Sequence, residues 1–362
     1  MAEEQKAEYA PPLFGIHGGT ILPDVNVASY NLEVKDGDKF LGDRASKKAI
    51  VEILDKVRKP FAKDGHDPFG DRPSDEIGKK ELDRALEKGD AEVAGLVHTV
   101  IEEFAQEFAT VVRRFLKEKA WRDVERIAVG GGTRGHRIGE LAIGRLGAIL
   151  KEEKIAVEIV PIAQDPDDAG LLGAVHLAPE WIFKGYDALV AVDIGGSNIR
   201  VGLIGYDRKD APLFKHAEVA ERSIWCHSEE KKTSRENAVT SMTDMIKDAI
   251  EKAGKSKLKL APFVGVGCPG IIEPDGFIDR GAQNLPGNWE STRFNLPQRI
   301  KEAIPLIGDY ETQVILHNDA VVQGLSETYR MRDVARWGIL TVGTGLGNAR
   351  FDNRVPPNKR KT

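Results

Sequence analysis

The sequence predicts an α/β protein of two lobes, and three observations lead to this prediction. Helix and strand patterns alternate along the 362 residues. Residues 126–162 have the pattern of a strand, a helix and a second strand, which predicts a parallel pair. Two stretches about 150 residues apart, 191–202 and 340–351, share the pattern strand, glycine-rich turn, strand. A repeated unit of this kind is expected in a protein with two similar lobes.

Helices are predicted where apolar residues recur at helical spacing. Two long helices, or one interrupted pair, are expected between Asp75 and Lys119, with Asp90 as the N-cap of the second. A further helix is expected at 167–178, capped by Asp167 or Asp168. Later helices are predicted near 236–253, near 297–304 and after Ala320.

Strands of the second half are predicted from short β-branched and apolar runs, at 189–206, 263–268, 313–320 and 338–342. The polar, charged segments 207–216, 227–236 and 351–362 predict solvated loops and a frayed tail.

Composition limits the function. The formal net charge is −5 and no basic stripe occurs, which argues against nucleic acid as a partner. Cys226 and Cys268 are the only cysteines, too few for a disulfide framework or a four-cysteine metal site. The first residues are polar and acidic, and no apolar run approaches the ~20 residues that a membrane helix needs. We therefore expect a cytoplasmic protein with no membrane partner.

Both repeated turns are rich in glycine, which permits close backbone approach and positive φ, so their N–H groups could bind an anion. Two such turns facing each other would hold a nucleotide triphosphate between the lobes. A third cluster, Gly130, Gly131 and Gly132, ends a strand and could leave backbone bare for an adenine or ribose.

Together these motifs resemble the ROK (repressor, open reading frame, kinase) family of sugar kinases, of the actin, Hsp70 and hexokinase superfamily. DIGGSN (193–198) is similar to its first phosphate motif, VGTGLG (342–347) to its second and AVGGG (128–132) to its adenosine motif. GVGCPG (265–270), NLPGNW (284–289) and HNDA (317–320) are similar to its substrate motifs. The resemblance implies a two-lobed actin-like (RNase H-like) ATPase fold, with a mixed sheet flanked by helices in each lobe.

The order of the motifs departs from the family, because the adenosine motif precedes DIGGSN instead of following the other motifs. A circular permutation explains this order, with 179–187 as the linker between the former ends. It predicts that residues near Pro12 and Asn353 lie close together in one lobe. Residues 1–178 and 336–362 are then predicted as the larger lobe and 187–335 as the smaller, with helix 167–178 able to pack on either.

The resemblance implies transfer of the γ-phosphoryl group of ATP, with Mg²⁺, to a hydroxyl of a hexose or amino sugar. The residues implied in ATP and phosphate binding are Asp193, Gly195, Gly196, Ser197, Asn198, Gly343, Thr344, Gly345, Gly347, Gly130, Gly131 and Gly132. Asp193 is also implied at Mg²⁺, directly or through water, since Mg²⁺ takes few carboxylates. Its alternative role is to stabilise the glycine turn, and the two roles are compatible.

Asp319 is the implied catalytic base, which would accept the proton of the sugar hydroxyl. On residue type alone, Asn318 and Asp319 are more typical of a helix cap, and only the family motif favours a base. Sugar contacts are implied for Pro269, Gly270, Asn284, Asn318 and Asp319. Asn288 is an insertion relative to the usual motif, and Trp289 is expected in the core rather than stacked on a sugar.

A second departure is the missing Glu-x-Gly-His and CxCGxxGC region, which usually holds zinc and contacts sugar. No zinc is predicted, because the histidines and cysteines lack metal-ligand spacing. Residues 15–46 stand in that place, and His17, Asn31, Glu33 and Asp43 are its candidate contacts, none of them assigned. The sequence leaves open the sugar, the choice of ATP or polyphosphate, and the oligomeric state, a homodimer included.

Other classes of function remain. Gly130, Gly132 and Gly135 satisfy GxGxxG, so a Rossmann oxidoreductase is an alternative, although no acidic residue follows at the expected distance. No GxxxxGK[ST] motif occurs, which excludes a P-loop enzyme at this level. A non-catalytic sugar or nucleotide sensor is the second alternative.

Overall fold

The computed structural model describes residues 12–207, 209, 214–230 and 233–354. Part of the predicted loops 207–216 and 227–236, and tail residues 355–362, lie outside this range. The helices are α1 (Lys47–Lys63), α2 (Lys79–Lys88), α3 (Ala91–Phe115), α4 (Arg137–Glu152), α5 (Ala169–Leu172), α6 (Arg235–Lys255), α7 (Leu296–Ala303) and α8 (Asp319–Leu325). The strands are β1 (Val25–Tyr30), β2 (Lys35–Asp36), β3 (Lys39–Phe40), β4 (Arg126–Gly130), β5 (Glu158–Pro161), β6 (Ala188–Ile194), β7 (Ile199–Gly205), β8 (Glu218–Trp225), β9 (Leu260–Cys268), β10 (Ile271–Ile272), β11 (Ile278–Arg280), β12 (Leu306–Ile307), β13 (Tyr310–Glu311), β14 (Gln313–Asn318), β15 (Arg336–Val342) and β16 (Leu346–Asn353).

Two five-stranded sheets organise the chain, in the orders β14-β9-β6-β7-β8 and β1-β16-β15-β4-β5. In the first, β14, β9 and β6 are parallel, whereas β6 with β7 and β7 with β8 are antiparallel. In the second, β15, β4 and β5 are parallel, so the predicted strand, helix and strand at 126–162 is confirmed. The predicted α/β fold, with two mixed sheets flanked by helices, is therefore confirmed.

The chain divides into two compact units. The first contains residues 1–31, 167–335 and 351–362, and the second contains 32–166 and 336–350. Each unit has its own buried apolar core, one built on β6, β9, β14 and α6 and the other on α1, α3, α4 and β4. Residues 1–31 and 167–178 fall in the unit that holds 187–335; the functional division into lobes stays a prediction.

Helix α3 shows how the sequence forms these elements. Its N-cap is Asp90, as predicted, and the carboxylate accepts a hydrogen bond of 2.9 Å from the backbone N–H of Val93. Buried residues recur along one face at helical spacing, from Leu96 to Phe115. The helix ends with Arg113 and Arg114, two cations that favour the negative end of the helix dipole.

Several elements differ from the sequence prediction. Helix α1 and strand β1 were not predicted, and the strand predicted at 313–320 ends at Asn318, directly before α8 begins. The helix expected at 167–178 is only α5, followed by a 3₁₀ turn at Gly173–His176. A β-carbon on Gly173 would lie 1.7 Å from the carbonyl oxygen of Val322, so packing on α8 controls this segment more than its helical pattern does. Strand β8 was not predicted, because it is largely exposed and lacks an apolar alternation. The tail prediction is wrong at 351–353, which belong to β16, with Phe351 fully buried.

The last described residue, Arg354, contacts residues 22–24 in the first unit; the predicted proximity of Pro12 and Asn353 stays a prediction. The backbone N–H of Arg354 donates to the carbonyl of Asp24 at 3.1 Å, and its guanidinium donates to the carbonyls of Leu22 and Pro23. A permuted origin of the chain remains a prediction.

We predict that two glycines of α4 respond oppositely to alanine. A β-carbon on Gly139 would lie 2.0 Å from the backbone carbonyl oxygen of Thr133, whereas nothing lies within 4 Å of one on Gly144. Gly139→Ala should therefore destabilise the protein by about 1–3 kcal/mol, as overpacking does. Gly144→Ala should stabilise it by up to ~1 kcal/mol through helix propensity. Thermal denaturation followed by circular dichroism measures both, and equal effects of the two substitutions would contradict this packing.

Candidate active site

The candidate catalytic residues lie where three parallel strands of the first unit end. In register, Asp193 of β6 is opposite Gly267 of β9, and Cys268 is opposite Asn318 of β14. Parallel strands present their carboxyl ends at one edge of the sheet, where open α/β folds bind ligands. Asp193 and Asp319, far apart in sequence, therefore lie at the same edge of the sheet, on strands separated by β9.

Asp319 is the first residue of α8 and is partly exposed. One carboxylate oxygen accepts a hydrogen bond of 2.9 Å from the backbone N–H of Ala320. Burial, and next the negative charge of Asp193, raise the pKa of Asp319 from its ordinary value to about 7. Near neutral pH this carboxyl group can thus be present in both protonation states, as a general base requires.

Asp193 is held differently. Burial raises the pKa of Asp193, and the adjacent Arg200 opposes that rise. The guanidinium of Arg200 donates to the Asp193 carboxylate at 3.2 Å and to Asp167 at 2.6 Å. A β-carbon on Gly170 would lie 2.6 Å from the carboxyl carbon of Asp193, so glycine is required there. Sequence analysis missed Arg200 and Gly170, although Arg200 lies two residues after the predicted phosphate turn.

Cys268 shares this edge but is not a candidate nucleophile. Burial, followed by the charges of Asp319 and Asp193, raises the pKa of its thiol well above the ordinary value. A protonated thiol is a poor nucleophile.

The predicted phosphate turn connects β6 with β7. The N–H of Gly195 donates to the carbonyl of Asn198 at 2.8 Å, and the carbonyl of Gly195 accepts from Nε2 of His227 at 2.9 Å. Residues 195–198 are half-exposed, whereas all of β6 is buried, so the turn is open to a ligand. Neither Gly195 nor Gly196 has a positive φ, so the expectation that glycine is needed in this turn for positive φ is wrong. What glycine supplies at this turn is a bare backbone.

Asn318 is both a helix cap and a bridge to the predicted sugar motif. Its amide oxygen accepts from the N–H groups of Ala320 and Val321 at 3.0 and 3.3 Å, and its amide nitrogen donates to the carbonyl of Gly270 at 3.0 Å. Gly270 has φ +106, and a β-carbon there would lie 2.6 Å from the carbonyl oxygen of Arg280. Asn318 therefore positions the loop at Pro269 and Gly270, and one amide hydrogen is left for a ligand.

The second predicted sugar motif, 284–289, forms an exposed loop with a buried anchor. Asn284 is exposed. Trp289 is 1% exposed and donates from its indole nitrogen to the carbonyl of Pro286 at 2.9 Å, so it is a core residue, as expected. The inserted Asn288 is exposed and accepts from the N–H of Glu290.

One of the four unassigned candidates of 15–46 reaches the sugar motif. A β-carbon placed on Gly281, which lies beside Gly270, would be 2.9 Å from the side-chain nitrogen of Asn31. The backbone of Asn31 has φ 49. His17 instead accepts a hydrogen bond from the N–H of Leu316, and burial lowers its pKa to about 4. Glu33 and Asp43 belong to the other unit.

The second unit carries the predicted adenosine motif and second phosphate turn. Thr341 of β15 pairs with Gly130 of β4. Gly131 has φ +85, and a β-carbon there would lie 2.4 Å from the carbonyl oxygen of Val342, so only glycine lets these two strand ends meet. In the phosphate turn, the N–H of Gly343 donates to the carbonyl of Gly345 at 3.0 Å. Thr344 and Gly345 are exposed and Gly347 is half-exposed.

The Rossmann alternative fits this unit poorly. Asp83 of α2 covers the start of α4: its carboxylate accepts from the N–H of Ile138 at 3.0 Å and lies 3.2 Å from Nδ1 of His136. A dinucleotide fold needs that helix terminus for the pyrophosphate. The negative charge of the Asp83 carboxylate would repel the pyrophosphate.

The described ranges are residues 12–207, 209, 214–230 and 233–354. Within them, no three or more His, Cys, Asp and Glu side chains form a group suited to a metal ion. No described helix combines the length and apolar character that a membrane span requires.

The fold is that of a mixed α/β protein, with a candidate ligand site where parallel strands end. Residues 189–355 match the model of the ROK family, which confirms the resemblance over this part of the chain. The match supports a sugar kinase or a related ROK protein. No curated protein matches the chain.

Solved structures give partial matches of low similarity. A candidate N-acetylmannosamine kinase from Listeria monocytogenes is 20% identical with a TM-score of 0.33, over 46% of this chain and 47% of its own. A candidate sugar kinase from Cytophaga hutchinsonii is 17% identical with a TM-score of 0.34, over 48% and 52%. An exopolyphosphatase from the same organism is 16% identical with a TM-score of 0.25, over 47% and 51%. The chain thus spans about half the length of each of these three structures.

We predict that Asp319→Asn stabilises the fold at pH 8 but not at pH 4. A pKa raised in the folded state means that the native protein binds more protons than the unfolded chain between about pH 4 and 7, so wild-type stability falls as pH rises through that window. A shift from 3.8 to about 7 corresponds to about 4 kcal/mol, and partial exposure of the carboxylate reduces the expected gain to ~2 kcal/mol. Asparagine keeps the acceptor for Ala320 and removes the charge.

Urea denaturation at pH 4, 6 and 8 measures this effect. Asp309→Asn is the control, because Asp309 is an exposed aspartate of the same unit. An equal change in stability at all three pH values would contradict the charge penalty.

Proposed function

We propose that this protein is an ATP-dependent sugar kinase, which transfers the γ-phosphoryl group of ATP to a hydroxyl of a hexose or amino sugar. The observation that carries the proposal is the pair Asp193 and Asp319, held in unlike environments at the same edge of the sheet, at the ends of β6 and β14. One carboxylate contacts Arg200, and the other has a pKa of about 7 and only backbone hydrogen bonds. Carboxylates whose environments separate their pKa values are suited to different chemical roles.

In this proposal Asp319 is the general base. Its free carboxylate oxygen accepts the proton of the attacking hydroxyl as the oxygen–phosphorus bond forms and the bond to the leaving ADP breaks. Phosphoryl transfer proceeds through a loose transition state, so alignment and charge neutralisation matter more than a strong base. Asn318 supports alignment, because it fixes the Gly270 loop and the start of α8 together.

Asp193 is proposed at Mg²⁺. A buried carboxylate with a raised pKa is stabilised in its charged form by a cation, and Mg²⁺ usually keeps its waters and uses one or two carboxylates. When bound, Mg²⁺ neutralises charge on the phosphates. The half-exposed turn 195–198 is proposed to donate backbone N–H groups to the same phosphates.

Sugar recognition is proposed for Pro269, Gly270, Asn284 and Asn318, and Asn31 is added by its position beside Gly270 and Gly281. An amide that hydrogen-bonds a hydroxyl rejects analogues that lack it, since the buried partner is then left unpaired. We also propose that the protein is cytoplasmic and that its chain order is permuted. The division into two lobes, one of 1–178 with 336–362 and one of 187–335, is part of the same proposal.

An assay of ADP release from ATP over a panel of hexoses and amino sugars tests the proposal. We expect one or more sugars to stimulate release, and Asp319→Asn to lower kcat about 10²–10⁴-fold while Asp309→Asn leaves it unchanged. Because the base must be ionised, kcat should rise with pH and level off above about 8, with an apparent pKa near 7.

Two outcomes would contradict parts of this proposal. If ATP binds but no sugar stimulates ADP release, the sensor alternative is favoured and the kinase is not. If Asp319→Asn keeps full activity on a sugar that stimulates ADP release, the protein is a kinase but its base is not Asp319.

A further inference from the structure

Two lysines of the second unit lie beside its two glycine turns. Lys47 is the first residue of α1, and its backbone N–H donates to the carbonyl of Gly343 at 2.9 Å. Lys79 is the first residue of α2, and its Nζ would lie 3.8 Å from a β-carbon on Gly132. Gly131, in the turn at 130–132, packs directly on Val342, the residue before Gly343. The two segments that carry Lys47 and Lys79 therefore lie next to the same pair of turns.

Neither ammonium group has an anionic partner. Among residues 12–207, 209, 214–230 and 233–354, no carboxylate forms an ion pair with Lys47 or Lys79. The nearest charged groups that act on Lys79 are Lys47 and Asp83, and Asp83 is engaged by Ile138 and His136. Burial, and next the charge of Lys47, lower the pKa of Lys79 to about 8.

The positions of these lysines are costly for the fold. A cation in the first turn of a helix interacts unfavourably with the helix dipole, and two such cations near each other add repulsion. Lys79 is in addition half-buried. An anion bound between them would remove all three penalties.

A buried hydroxyl lies next to the same turn. Thr133 follows Gly132 and is 4% exposed, and its Oγ1 has no hydrogen-bond partner in the part of the chain that the structure describes. Buried polar atoms of native proteins are normally paired. An unpaired buried hydroxyl next in sequence to a bare glycine turn, with the Lys79 ammonium beside that turn, fits a phosphate site.

We propose that Lys47 and Lys79, together with the turns at 130–132 and 343–345, bind a phosphate group of the phosphoryl donor. The nature of this ligand rests on the proposed kinase function; the anion site itself rests on the contacts above. Phosphate chains occur both in a nucleoside triphosphate and in inorganic polyphosphate, and the two sources are separated by the experiment.

Binding to the full-length protein, measured by calorimetry at pH 7, tests the site with ADP, tripolyphosphate and adenosine. Lys79→Met and Lys47→Met should each raise the Kd of a phosphate-bearing ligand about tenfold, as expected for loss of one charge-assisted contact, and leave that of adenosine unchanged. Lys80→Met is the matched control, since Lys80 is the exposed neighbour of Lys79, and it should change Kd less than twofold.

The pH dependence gives a second measurement. As pH rises from 7 to 9.5, free Lys79 loses its proton, so wild-type affinity for the phosphate ligand should fall. Lys79→Arg, which stays charged, should retain that affinity at pH 9.5, and this conservative variant also serves if Lys79→Met fails to fold.

The outcomes separate this site from the proposed function. If Lys79→Met weakens tripolyphosphate but ADP does not bind, the site stands with inorganic polyphosphate as its source. If ADP binding depends on Lys79 while no sugar is phosphorylated, the site stands and the kinase proposal fails. Unchanged phosphate binding in Lys79→Met and Lys47→Met, or an equal loss of adenosine binding, overturns the site.

Discussion

The first unit depends on keeping two carboxylates, Asp193 and Asp319, in a poorly solvated position at one edge of its sheet, at the ends of β6 and β14, which are separated by β9. Burial disfavours the charged form of each, and the negative charge of Asp193 adds to the penalty on Asp319. Arg200 relieves this only for Asp193, by direct hydrogen bonding. The unequal environments follow from a single cation placed on β7, the strand beside β6. Because of this asymmetry, the Asp193 carboxylate is suited to a cation and the Asp319 carboxylate is suited to accepting a proton.

Close backbone packing makes this arrangement possible. The segment 169–176 lies against β6, β9 and α8 through glycines that leave no room for a side chain. Gly170 faces the Asp193 carboxylate, Gly173 the carbonyl of Val322, and Gly265 the side chain of Ala174. A regular helix through 167–178 would not allow all three contacts. The break into a short helix and a 3₁₀ turn is therefore a consequence of packing.

Local patterns predicted the elements that carry strong local signals. The cap at Asp90, the helices α2 and α3 and the parallel strands β4 and β5 were all predicted, because propensity, capping and apolar spacing agree there. Strand β8 was missed, because an edge strand exposed along most of its length has no apolar alternation. Asp193 and Asp319 were selected from motifs, whereas Arg200, Gly170 and Asn31 were missed or left unassigned. Their roles depend on neighbours distant in sequence.

By itself, the sequence determined the α/β class, the repeated strand, turn and strand pattern, and the residues at each turn. These properties depend on side-chain type and short spacing. Only the tertiary structure decided that Asp319 lies at the same edge of the sheet as Asp193, that Asn318, a helix cap by residue type, also holds Gly270, and that Lys79 lies beside Gly132. A pKa, a capping bond and an unpaired charge are set by which groups exclude water and which face each other. That information exists only when separate segments are packed together.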